Sequence, residues 1–163
     1  MNLNRTLLTA TLLTALAVTP VFAAKDGTSD STGTCSTCTT SSVDAAEAAT
    51  LTFMREEEKL ARDFYSAANE LWPTPLFVNI GAAEQQHMDS IARMLTRYSL
   101  PDPAATDIPG QFVDQTLQQF YVQLTGRAQI SQMEALQAGA FIEELDIEDN
   151  QNAIDATDNQ DLK

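Results

Sequence analysis

The chain has little base: 9 lysines and arginines stand against 23 aspartates and glutamates, a net charge of −14 at neutral pH. A surface so poor in cations argues against nucleic acid as a partner, because phosphate binding needs lysine and arginine. It argues equally against attraction to an anionic membrane surface. Cysteine is scarcer still. The 2 present, Cys35 and Cys38, form a Cys-x-x-Cys with no strand before it and no helix start after it, which speaks against a thioredoxin-like redox motif. One such pair is too few for a four-ligand zinc site unless chains combine. In an oxidising compartment the expectation is a local or an intermolecular disulfide. Histidine occurs once, as His87. Past the N-terminus no apolar run approaches the roughly 20 residues of a membrane span.

What is there falls into three stretches. Arg5 precedes an apolar run over residues 7–18, followed by Thr19-Pro20-Val21-Phe22-Ala23. A basic start, a short apolar segment and small residues ahead of Ala24 predict a secretory signal over residues 1–23, cleaved after Ala23. The alternative is an N-terminal anchor helix that stays in place, but the run is short and interrupted by threonine. The mature protein is therefore expected to be secreted or periplasmic, with no membrane span after signal removal. Residues 24–43 are rich in Gly, Ser, Thr and Asp and hold no large apolar side chain until Val43. They cannot bury enough surface to offset the entropy of ordering, and they read as a flexible tether. Residues 44–163 remain for one modest helical domain.

Helical periodicity places carboxylates where apolar residues would be expected. An α-helix turns about 100° per residue. Over residues 51–71, Phe53, Leu60, Ala61, Phe64, Ala68 and Leu71 lie within about 60° of Glu57, with Glu56 and Glu58 on the borders of that stripe. Over residues 77–98, Phe77, Ile80, Met88, Ile91, Leu95 and Tyr98 cluster around Glu84, and His87 sits one turn on, able to reach the same point. A shorter helix is expected over residues 115–124, in an arm that reads as a crossover. A last one is expected over residues 131–150, where Glu143 and Glu144 have equal claims to the apolar face. Gly139, in the middle of that helix, predicts close helix packing.

A carboxylate centred on an apolar stripe is costly to bury without a partner. Glu-x-x-His on its own arises by chance in many helices, but Glu57 and Glu84 on matching stripes make a shared cation the better account. Inward-facing glutamates on several helices, with Glu-x-x-His, are how di-iron and di-manganese bundles hold their metals. The predicted ligand set is Glu57, Glu84, His87 and Glu143 or Glu144.

The same residues resemble an uncharacterised bacterial and archaeal domain family of the ferritin-like superfamily. The run Met54-Arg55-Glu56-Glu57-Glu58-Lys59-Leu60-Ala61-Arg62-Asp63 is similar to its first-helix signature. Asn79-Ile80 with Glu84-Gln85-Gln86-His87-Met88 is similar to its second. Ala135-Leu136 through Gly139 to Ile142-Glu143-Glu144-Leu145-Asp146-Ile147 is similar to its third. The resemblance covers about residues 51–162 and implies an all-α, ferritin-like antiparallel bundle with a long crossover and a di-metal centre of iron or manganese. In the resembling proteins a fourth helix follows the acidic stretch and brings another histidine. Here Thr157-Asp158-Asn159-Gln160-Asp161 gives a helix-start signal and the sequence ends at Lys163. The expectation is a bundle truncated before or at its fourth helix: either a truncated product or fragment, or a chain whose fourth helix comes from a second copy or a partner.

Two functional readings follow. The first is a di-iron protein that oxidises Fe(II) or handles dioxygen or peroxide. In it Glu57 binds one metal, Glu84 bridges, His87 binds the other or the same metal, and Glu143 or Glu144 adds a second bridge or a terminal ligand. The second is a secreted helical interaction module with a vestigial or incomplete metal site. A weaker idea is a cation buffer in the acidic C-terminal run, which lacks the ordered ligand spacing of a calcium loop.

Overall fold

The computed structural model describes residues 42–163, and the signal, the tether up to residue 41 and the Cys35–Cys38 pair read from the sequence lie outside them. Among the described residues there are four helices and no strand, so the all-α expectation holds.

Helix α1, Ala45–Leu71, starts at a capping box. The Asp44 carboxylate accepts from the N–H groups of Ala46 and Glu47, and Glu47 reaches back to the N–H of Asp44, each at 2.8 Å. These contacts satisfy donors that the first turn would otherwise leave bare. Trp72 ends α1, and its indole N–H donates to the carbonyl of Ala128 at 2.8 Å. Helix α2, Pro75–Arg97, takes Thr74 as its cap and Pro75 in its first turn, where a missing N–H costs nothing.

Residues 98–114 form a long connection. It is followed by α3, Gln115–Ala128, capped by Asp114, and α4, Gln132–Ala156, capped by Ser131. The expected helix over residues 131–150 thus runs on to Ala156, and Thr157 turns extended to end it. The helix-start signal at Thr157 does not start a helix among the described residues; 160–161 form a turn instead.

Helix α1 lies centrally and packs on α2, α3 and α4, while α3 also packs on α4. No Cα of α2 comes within 8 Å of a Cα of α4, so the two flank α1 without close backbone packing on each other. The larger core joins Leu60, Phe64 and Tyr65 of α1 to Phe77, Leu117, Leu124 and Ile142. A smaller one gathers Leu51, Ile91 and Leu95 with Met54, Met94 and Leu162. Gly139 meets its expectation. A Cβ there would lie 2.9 Å from the Tyr65 ring, so α4 can approach α1 this closely only without a side chain at that position.

The connection 98–114 is tied to α1 by charge as well as by Phe112, which joins the larger core. Arg55 grips Asp102 through two N–H···O contacts of 3.0 Å and donates to the carbonyl of Met88 at 2.7 Å. Glu56 accepts the N–H groups of Val113 and Asp114. Lys59, 1% exposed, pairs with Asp63 at 2.6 Å, donates to the carbonyl of Ile108 and lies 4.5 Å from the Phe112 ring centroid. Asp63 also accepts from Arg62 and from the N–H of Gly110. Buried charges of this kind persist only when paired and hydrogen-bonded.

Candidate metal centre

On its other side α1 presents Glu58 toward α2. Glu58 and Glu84 are buried, at 6% and 3% exposure, and His87 stands at the rim. Nδ1 of His87 lies 3.1 Å from Oε2 of Glu84 and 3.3 Å from Oε2 of Glu58. Ligand atoms from these three residues all fall within 4.8 Å of one another. Oε2 of Glu58 is buried and accepts no hydrogen bond. Two buried carboxylates and one imidazole converging on a point make a donor set suited to a divalent transition ion. The Glu84-x-x-His87 spacing works as the helix geometry requires, since residues three apart share a face.

The electrostatics are those of a site short of positive charge. Burial raises the Glu58 carboxyl, and Glu84 beside it raises it further, against the pull of His87. The two carboxylates push the His87 imidazole up to about 10. Around this trio stand further acids. Glu143 accepts a hydrogen bond of 2.7 Å from the Tyr65 hydroxyl. Burial raises its carboxyl, and it feels the charges of Glu84 and His87. Burial together with Glu58, Glu84 and Glu143 pushes Asp146 up to about 8. Burial, Asp146 and Asp149 push Glu57 up to about 9.

The structure therefore brings together Glu84, His87 and Glu58, with Glu143 and Asp146 close enough to act on them electrostatically. Glu57 points instead toward Asp146 and Asp149, and Glu144 is exposed. The apolar stripe centred on Glu57 includes Phe53 and Leu71, which are 37% and 44% exposed. The buried arc of α1 is wider than its apolar stripe because the 98–114 connection covers a charged face. That shifts the residue aimed at α2 by one position, to Glu58. A signal for Asp146 was present in the sequence: Glu143-Glu144-Leu145-Asp146 repeats the three-residue spacing of Glu84 and His87. Tyr65 gave none, because its hydroxyl partner lies 78 residues away.

A cleft of about 410 Å³ opens beside the trio. Glu58 and His87 form part of its wall, and Leu51, Met54, Ile91, Met94 and Ile154 make much of the rest. The C-terminal segment closes one end. Thr157 donates to Glu47, Arg97 pairs with Asp161 at 2.7 Å, and Leu162 packs on the smaller core.

Comparison with known proteins agrees with this architecture. Residues 47–163 match the family described as Uncharacterized protein domain (DUF2202). An uncharacterized protein of Methanocaldococcus jannaschii, MJ0754, is 43% identical over 110 residues, which are 68% of this chain and 60% of that protein. The chain thus spans less than two thirds of that relative's length. The crystal structure of the hypothetical protein MJ0754 superposes with a TM-score of 0.75 at 39% identity, covering 78% of this chain and 73% of the other.

Proposed function

We propose that this chain, which belongs to the DUF2202 family, is a ferritin-like metal protein whose cation is held by Glu58, Glu84 and His87. The observation that carries the reading is the convergence of these ligand atoms within 4.8 Å, one of them a buried carboxylate oxygen without a donor. A bound cation supplies the missing counter-charge, which is what a cluster of buried acids needs. Glu143, held by Tyr65, and Asp146 stand where a second cation would be balanced, so the site is read as dinuclear. Glu57 is then an outer carboxylate near that second position, and Glu144 remains at the surface. Carboxylate-rich sites with a single imidazole suit iron or manganese. Bound iron would supply one-electron oxidation and reduction. The chain's own part is to hold the ligands on two helices and to keep an apolar cleft beside them.

The activity class that fits is oxidation of Fe(II) or handling of dioxygen or peroxide, outside the cytoplasm, after removal of residues 1–23. Metal analysis of protein loaded anaerobically with Fe(II) or Mn(II), then desalted, tests the site. Stoichiometric metal is expected in the wild type, and far less in His87→Ala and Glu58→Gln. A wild type that retains no metal, or variants that retain as much, would remove this reading. N-terminal sequencing of the exported protein checks the location, with Ala24 expected first.

The interaction-module reading keeps one observation of its own. Met133, Ile147 and Ile154 of α4 are 61%, 71% and 38% exposed.

A further inference from the structure

Arg55, Glu58 and Arg62 follow one another at three- and four-residue spacing on α1, so their side chains leave along one edge of the helix. Glu58 is thus within reach of an arginine one turn to either side. It pairs with neither. Oε2 of Glu58 is buried and accepts no hydrogen bond. Among the described residues neither guanidinium comes within salt-bridge distance of Glu58, whose neighbour at that range is the His87 ring.

Both guanidinium groups are engaged elsewhere, by aspartates of the 98–114 connection. Arg55 gives Nε and Nη2 to the two oxygens of Asp102 at 3.0 Å each, and Nη1 to the carbonyl of Met88 at 2.7 Å. Arg62 gives Nη2 to Asp63 at 2.7 Å and also reaches Asp107 and the side-chain oxygen of Gln85. The two arrangements are not equally secure. Arg62 has Asp63, its neighbour on α1, and Gln85 besides Asp107. Arg55 pairs with one carboxylate, that of Asp102. The carbonyl it also holds belongs to Met88, the residue that follows His87, so its head group lies against α2 next to the ligand trio.

We propose that Asp102 is a positioning residue for the metal site: it holds Arg55 away from Glu58 and so leaves the Glu58 carboxylate free for a cation. The inference rests on the metal reading and adds to it a role for the connection. The chemistry is a competition for one acceptor. Without the Asp102 carboxylate, the Arg55 guanidinium has two N–H groups to place in a buried setting, where an unmade hydrogen bond is costly. Glu58 offers the complement, a buried oxygen with no donor. An arginine–carboxylate pair is charge-assisted and strong. It would take the lone pairs that a metal needs and put positive charge where a divalent ion must sit.

The probe is Co(II) alone, added to the full chain. The same donors bind it somewhat more tightly than Mn(II) or Fe(II), and its visible absorption follows its coordination geometry. Titration against a competing chelator gives the affinity. Asp102→Asn should weaken binding about tenfold or more, the size of loss that follows removal of a ligand's supporting partner. Arg55→Met in the Asp102→Asn background should restore the wild-type spectrum and bring the affinity to within about twofold of wild type. Arg55→Met alone should bind at least as tightly as wild type, a test that does not need the Asp102 variant to fold. Asp107→Asn takes an equal charge from the same connection, but Arg62 keeps Asp63 and Gln85, so binding should change by less than about twofold. If Asp102 and Arg55 merely brace the fold, Arg55→Met alone weakens binding and the double variant is weakest of all. That result overturns the proposal, as does an Asp102→Asn that binds Co(II) like wild type, and in both cases the metal reading stands. A wild type that binds no Co(II) removes the metal reading and this inference with it.

Discussion

On the side of α1 that meets the 98–114 connection, every buried charge has an answer. Arg55 has Asp102, Glu56 has two backbone N–H groups, Lys59 has Asp63, and Asp63 has Arg62 besides. On the side that meets α2 and α4, Glu57 and Glu58 face Glu84, Asp146 and Asp149, with one rim imidazole to offset them. The same helix and the same residue types give opposite outcomes. What differs is what the rest of the chain brings: donors and arginines on one side, more acids on the other. The paired charges fix a loop. The others crowd one another with little positive charge to balance them, and that contrast is the physical basis for reading one side as scaffold and the other as candidate site.

The sharpest way to break the comparison is to remove a partner on the paired side. In Asp63→Ala, Lys59 would stay buried with only the carbonyl of Ile108 and the ring of Phe112. Stranding a buried charge costs about 3–5 kcal/mol, and urea unfolding should show a loss of that order. A loss under about 1 kcal/mol would mean that the paired side is no better built than the other. The next effect belongs to the unpaired side. At free Fe(II) or Mn(II) about a hundredfold above the dissociation constant, stability should rise by about 2.7 kcal/mol. The rise should vanish in His87→Ala and persist in Arg55→Lys.

This division also explains how far the sequence could be read. The four helices were legible from periodicity, and Glu84 with His87 from a three-residue spacing that any helix honours. Glu58 was not legible. A wheel assumes one buried arc made of apolar residues, whereas α1 buries Arg55, Glu56, Lys59 and Asp63 as well. Their partners come from Asp102, Ile108, Gly110 and Val113, far along the chain, and nothing local in residues 54–63 announces them. The wheel leaves Glu143 and Glu144 equal for a related reason. What separates them is the Tyr65 hydroxyl, which meets Glu143 and which Gly139 lets in.

That contact gives a third prediction. Gly139→Ala would place a Cβ 2.9 Å from the Tyr65 ring and force α4 outward. Overpacking of this kind costs about 1–3 kcal/mol. The displaced Glu143 should weaken metal retention too, a joint effect that metal analysis alongside urea unfolding would reveal. Asp146→Asn should act with the opposite sign on stability. Removing one of several crowded acids should stabilise the metal-free protein by about 1 kcal/mol while diminishing its response to metal. A destabilised Asp146→Asn would show that the acids are already compensated, and the contrast between the two sides would fall.

The smallest expected effect concerns acid. Burial disfavours the Asp102 carboxylate, but Arg55 and the N–H of Ala104 outweigh it and hold the group below the usual carboxylate range. A depressed carboxyl adds stability that is fully present above the unfolded value, about 4, and drains away as pH falls through the folded one. Asp107, bound by Arg62, is depressed in the same way but is half exposed and adds less. Wild type and Asp102→Asn should therefore differ by a constant margin above about pH 5 and converge below about pH 4. Urea midpoints across that range would show it. A margin that stayed constant down to about pH 3 would place the contribution of Asp102 in packing rather than in charge. The paired side of α1 would then owe its order to shape, and only the acids around Glu58 would remain an electrostatic feature of the helix.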